Sequence, residues 1–138
     1  MKYVLTRCVF YSHKRSMHTV TELWSFRKAA LAAGMSEQDI EALVDHLSEN
    51  PDAGDEMEGT GGCRKLRWAV RGNNKGKSGG VRTITLFSGE NLPVFLITAF
   101  GKGQKSNLTK GERNELKKIS DRVVQEYSRR VLPIAVGE

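Results

Sequence analysis

The sequence predicts an α+β fold: a small antiparallel sheet with two N-terminal helices packed on one face and a C-terminal helix. Three observations carry this expectation. HTVTEL, Cys63 to Val70 and Val81 to Ser88 alternate apolar and polar residues, the period of half-buried strands, while VFLITAF is apolar enough for a central strand. Ile40, Leu43, Val44 and Leu47, and again Leu116, Ile119, Val123 and Tyr127, recur at helical spacing. Each of these two helices also has a start signal, Ser36 with Asp39 and Thr109 with Glu112, in which a hydroxyl and a carboxylate three residues apart cap each other's backbone. The order strand, helix, helix, three strands, helix places the helices on one face of an antiparallel sheet.

Taken in order, residues 1–16 alternate only loosely before the polar run Ser12 to Ser16. They read as an N-terminal extension, with an extra edge strand as the alternative. The domain spans 17–130. Trp24 to Ala33 is a first helix that ends at Gly34, and the second runs from Ser36 until Pro51 stops it. The loop Asp52 to Gly62 leads into the strand Cys63 to Val70, where Leu66 and Trp68 alternate with Lys65 and Arg67, so one face enters the core and the other carries cations. Gly72 to Gly80, with four glycines, two asparagines and two lysines, is a hairpin connection. Gly89-Glu90-Asn91 turns the chain into the last strand. The final helix ends near Arg130, and 131–138 is a flexible tail.

A chain of 138 residues, 38% hydrophobic, suits one domain with one core. Cys8 and Cys63 match neither a CxxC pair nor a secreted disulfide framework, which points to free thiols and a cytoplasmic setting. No apolar run is long enough to span a bilayer, so no membrane partner is expected.

Charge is sorted along the chain. Between Glu37 and Glu58 there are nine carboxylates and no Lys or Arg, whereas from Gly61 to Arg82 there are seven cations (Arg64, Lys65, Arg67, Arg71, Lys75, Lys77, Arg82) and no carboxylate. A basic block on two strands and their connection concentrates positive potential on one face, and the commonest partner of such a face is a phosphate backbone. Other chemistries lack their residues. The histidines His13, His18 and His46 all precede the basic block, and no Cys or His spacing suits a metal. GNNKGKSGG lacks the glycine spacing of a phosphate-binding P-loop, and no GxSxG elbow is present. No cofactor is implied. A cationic surface can still promote cleavage of RNA by its own 2′-hydroxyl, because the nucleophile belongs to the substrate and the protein must orient it and stabilise charge on the phosphate. Arginine suits the second task through bidentate bonds to phosphate oxygens. The plain alternative is a solvated, noncatalytic nucleic-acid-binding surface.

The run GTGGCRKLRWAVRGNNKGKSGGVRTITLF, followed by VFLITAFGKGQKSNLTKGERNELKKI, resembles the HigB-like branch of the RelE/ParE toxin superfamily of toxin–antitoxin modules. A GTGG-x-RK-x-R-W strand, a GK-x-GG-x-R hairpin and an apolar strand ending in Gly-Lys before a capped helix occur together, in order, within Met17 to Tyr127. The resemblance implies a toxin that cleaves messenger RNA in the decoding site of the ribosome as a metal-independent endoribonuclease. It also implies a co-encoded antitoxin, typically a helix-turn-helix protein, as partner. Lys65 and Arg67 stand where the family places cations on the first long strand, and Arg82 stands at the arginine after the glycine turn; the resemblance makes these three the catalytic candidates. Lys102 matches the basic residue after the last strand. With Lys105, and with Arg64, Lys75 and Lys77 extending the surface, it is assigned to RNA binding.

The chain departs from the pattern in its phenols. Gly103 and about Thr109 stand where RelE itself has an arginine and a tyrosine, Thr85-Leu86 stands where HigB-like relatives often have an aromatic pair, and Phe100 stands where they often have a tyrosine. The general base is therefore unassigned. A ParE-like gyrase poison, which shares the fold without ribonuclease activity, is the rival within the superfamily.

Overall fold

The computed structural model describes residues 5–9, 18–70, 80–89, 91–101 and 107–136, with the backbone alone for 5–9 and 129–136. In chain order the elements are β1 (Leu5–Val9), β2 (Val20–Leu23), α1 (Trp24–Ala32), α2 (Glu37–Glu49), β3 (Asp55–Glu56), β4 (Cys63–Trp68), β5 (Val81–Leu86), β6 (Val94–Gly101) and α3 (Lys110–Val136). One sheet holds all six strands in the order β1-β2-β6-β5-β4-β3. The fold is α+β, as its periodicities predict. Among the described residues no helix is long and apolar enough to cross a membrane.

β4, β5 and β6 form the expected antiparallel meander. β2, however, pairs with β6 in parallel, so the sheet is mixed. The chain leaves β2 through two helices and returns by way of β3, β4 and β5, which is the kind of crossover that a parallel neighbour requires. Leu5–Val9 pairs antiparallel with β2 at the sheet edge. The short β3, within the loop 52–62, pairs with the other edge at β4.

Alternation along the central strands sorts side chains onto two faces. Val81, Val94, Leu96 and Ala99, with Leu66 and Trp68, pack against Phe26 and Ala30 of α1 and Ile40, Leu43, Val44 and Leu47 of α2. Cys63, Ile84, Leu86, Phe95, Ile97 and Phe100 pack with Leu116 and Val123 of α3. The two N-terminal helices share a face as expected, but α3 covers the opposite one. Element order alone does not distinguish these arrangements. The apolar content of β6 does, because a strand buried on both faces needs a helix layer on each. In β6 the pairing slips between Ile84 and Thr85, whose partners are Thr98 and Leu96. Ile97 is the extra residue, and this bulge brings Phe95, Ile97 and Phe100 to one side.

Both capping boxes form. The Asp39 N–H donates to Ser36 Oγ at 3.1 Å and the Ser36 N–H to Asp39 Oδ2 at 2.9 Å; the same pair of bonds links Thr109 and Glu112. Ser36→Ala is expected to cost about 1 kcal/mol, measurable as a lower urea midpoint at unchanged slope. Arg27 joins α1 to its surroundings, with Nη2 2.6 Å from Glu22 Oε2 and Nη1 on Glu37. Burial works against its charge, but the hydrogen bonds and attraction from these carboxylates outweigh that and raise its pKa.

One expectation is corrected here. α3 continues past Arg130 to Val136, because Pro133 in a final turn removes one backbone bond without having to end the helix. His46 is half-buried with its ring centroid 5.4 Å from that of Trp68, since its position on α2 turns it toward β4.

Candidate nucleic-acid interface

The register of β4, β5 and β6 builds the site. Lys65 lies opposite Ile84, Arg67 opposite Arg82, and Arg82 opposite Phe100. Cross-strand neighbours share a face, so Lys65, Arg67, Arg82 and Phe100 all stand on the α3 side of the sheet. Directly opposed like charges repel, and among the described residues neither arginine has a carboxylate partner. Arg67 is exposed. Arg82 is only 8% exposed, and its Nη1 is buried without a hydrogen-bond partner. A buried cation lacking a counter-charge is costly, and an arriving anion recovers that cost.

Lys65 reaches in a different direction. Its Nζ donates to Asn107 Oδ1 at 3.4 Å, tying β4 to the segment that starts α3. Arg64 points to the other face, opposite Thr85. There its Nη1 donates to the Gly54 carbonyl at 3.2 Å and its Nη2 lies 3.8 Å from Glu56 Oε1. The structure therefore brings Lys65, Arg67 and Arg82 together and sets Arg64 apart, beside a carboxylate. Lys75, Lys77, Lys102 and Lys105 lie outside the described residues.

Gly54 holds the sheet edge against Lys65. Its φ is +99°, and a Cβ there would lie 2.9 Å from the Lys65 carbonyl oxygen. Gly54→Ala combines left-handed strain with a backbone clash, so it is expected to destabilise by roughly 1–3 kcal/mol and to displace Lys65. Thermal unfolding and the amide chemical shifts around Lys65 check both, and a variant as stable as the parent with those shifts unmoved would contradict the tight approach.

The GTGG segment is anchored beneath the site. The Thr60 hydroxyl donates to the Met57 carbonyl at 2.7 Å, the Cys63 N–H to Thr60 Oγ1 at 3.1 Å, and Cys63 Sγ lies 3.1 Å from Ser120 Oγ on α3. Cys63 is a buried free thiol, as expected. Burial pushes its pKa up, with Ser120 and Thr60 partly opposing. The stability this contributes is present below the ordinary thiol pKa of about 8.5 and is lost as pH rises through the higher folded value.

No described tyrosine or histidine joins the cations. Tyr127 packs edge-on against Phe95 at 5.6 Å. Phe95 lies opposite Leu86, four residues along β5 from Arg82 and thus about 13 Å away at strand rise. His18 packs on Phe87, and His46 on Trp68, both with the α1–α2 core. Sequence reasoning missed Asn107, because its pairing with Lys65 crosses 42 residues and no local pattern encodes it. It also missed a groove of about 470 Å³ beside the start of α3, lined by Glu58, Gly59, Leu108, Lys110, Arg113 and Asn114.

Residues 18–135 match the family described as the RelE toxin of the RelE/RelB toxin–antitoxin system. The match runs from just before β2 into the last turn of α3, and so includes every residue of the site. The chain belongs to the RelE toxin family, the toxin component of a toxin–antitoxin pair.

Proposed function

We propose that this toxin is a metal-independent endoribonuclease that cuts messenger RNA on the ribosome, acts in the cytoplasm, and is neutralised by a co-encoded antitoxin. The opposed Arg67–Arg82 pair carries this reading, because its uncompensated, partly buried charge is what a phosphate in a cleavage transition state requires. In the reaction the 2′-oxygen of one nucleotide attacks the adjacent phosphorus, its proton passing to a base, while the bond to the 5′-oxygen breaks and that oxygen takes up a proton. Products are a 2′,3′-cyclic phosphate and a 5′-hydroxyl. Arg82 and Arg67 bind the nonbridging oxygens as charge builds on them. Lys65, held by Asn107, stands next to them on the same face, where it contacts the phosphate or the leaving oxygen.

Mapping RNA 5′ ends on purified ribosomes programmed with a defined message tests the reading. Cuts in the decoding-site codon that depend on the protein are the expected result. Intact message together with inhibited supercoiling by gyrase would move the assignment to the gyrase-poison class.

A further inference from the structure

The groove beside α3 has a makeup that the Arg67–Arg82 pair does not use. Lys110 and Arg113 supply two cations on the first turn of α3, and Arg113 Nε is buried without a hydrogen-bond partner. The helix N-terminus at the same end is already capped by Thr109 and the Glu112 carboxylate, so the positive charge of the groove is that of Lys110 and Arg113. Leu108 offers a half-buried apolar wall, while Glu58 and Asn114 place an acceptor and an amide at the rim. Its volume of about 470 Å³ falls in the range of pockets that enclose small organic ligands. Through Asn107, which precedes Leu108 and receives the Lys65 hydrogen bond, the groove adjoins the cationic row.

Glu58 decides what kind of ligand fits. Its carboxylate repels a bare phosphate, so two cations beside it do not make a plain anion site. A nucleotide satisfies both ends, its phosphate meeting Lys110 and Arg113 and an amino group on its base donating to the carboxylate. Single-stranded RNA is read in this manner, with unstacked bases hydrogen-bonded along their edges.

We infer that the groove binds one nucleotide of the RNA strand neighbouring the nucleotide that is cut, with its phosphate on Lys110 and Arg113, its base against Leu108 and its edge on Glu58 and Asn114. Adenine and cytosine carry an exocyclic amino group for Glu58 and uracil does not, so the groove discriminates against uracil. The inference takes its biological substrate from the ribonuclease reading, but the groove itself is testable without cleavage.

Uncleavable 2′-O-methyl oligonucleotides of adenine, cytosine or uracil are the probes, with binding followed by fluorescence anisotropy over a salt series. The parent protein is expected to bind the adenine and cytosine strands about tenfold more tightly than the uracil strand, the lower part of the range for one specific base contact. Glu58→Ala, which removes the acceptor at an exposed position, should erase that preference. The double variant K110A/R113A should weaken binding of all three strands and reduce the salt slope by about 0.7, for the one phosphate that the two cations neutralise on a single strand. Because Arg113 is half-buried, K110A alone is measured as well and should give about half that loss of slope. Unchanged binding and slope in K110A and in the double variant would overturn the inference, and so would an adenine preference that survives Glu58→Ala. The same proteins are run on programmed ribosomes. Cutting that continues with binding unaffected by the groove variants removes the groove and leaves the ribonuclease reading standing. Groove-dependent binding without any cutting does the reverse.

Discussion

Arg82→Ala is expected to abolish growth inhibition while leaving the protein at least as stable as the parent. Arg82 contributes a guanidinium that is 8% exposed, with Nη1 unpartnered and Arg67 directly opposite. In such surroundings a contact to a developing phosphate charge is screened less than at an open surface, and losing one preorganised donor typically costs on the order of 3 kcal/mol, or about 150-fold in rate. The folded state loses little by the change. Removing one of two facing arginines relieves repulsion, and it also removes a buried charge that no described carboxylate neutralises. A merely structural arginine gives the opposite pattern, a lower melting temperature with activity falling in proportion to the folded fraction. Arg82→Lys keeps the charge and loses the planar fork, so it should fall between the two. Full toxicity of Arg82→Ala at matched expression would falsify the assignment.

The sequence disclosed this site unevenly, for reasons that lie in its chemistry. Local signals were legible: the caps at Ser36 and Thr109 are three-residue patterns, and both form. The meander followed from alternation, and with it the shared face of Lys65 and Arg67, because alternation within one strand is a local property; the register that adds Arg82 to that face shows only in the structure. Long-range placement was not legible. β2 pairs with β6 across more than 70 residues, which leaves no mark on periodicity within a single element, and that α3 covers the face opposite α1 and α2 is marked only by the apolar content of β6. The edge strand β1 was obscured because an edge strand needs no strict alternation. Arg64 shows the converse limit. Its place in the basic run made it look like a member of the surface, yet one step along a strand turns a side chain to the other face, where Gly54 and Glu56 hold it.

The other large effect expected is a contrast between substrates: negligible cleavage of naked RNA and clear cleavage on programmed ribosomes, weakening as salt rises. The described part of the cationic face holds Lys65, Arg67 and Arg82, with Phe100 beside them. The residue type that ordinarily titrates near neutrality is histidine, and His18 and His46 are both committed to the opposite core. Such a face binds a phosphate and stabilises charge on it, but offers little general-base assistance, which is typically worth 10²–10⁴-fold. Flexible RNA therefore spends too little time with its 2′-oxygen in line for cutting to be observed. The ribosome can hold the message in a fixed geometry, and such positioning contributes on the order of 7–11 kcal/mol in well-oriented reactions, enough to exceed the missing proton transfer. Docking of a basic surface on ribosomal RNA releases counterions, so the rate at limiting toxin should fall linearly on a log–log plot against salt. Efficient metal-independent cutting of naked RNA would show that the protein supplies its own base and in-line geometry. Cutting on ribosomes with no dependence on salt would show that the cationic face is not what docks.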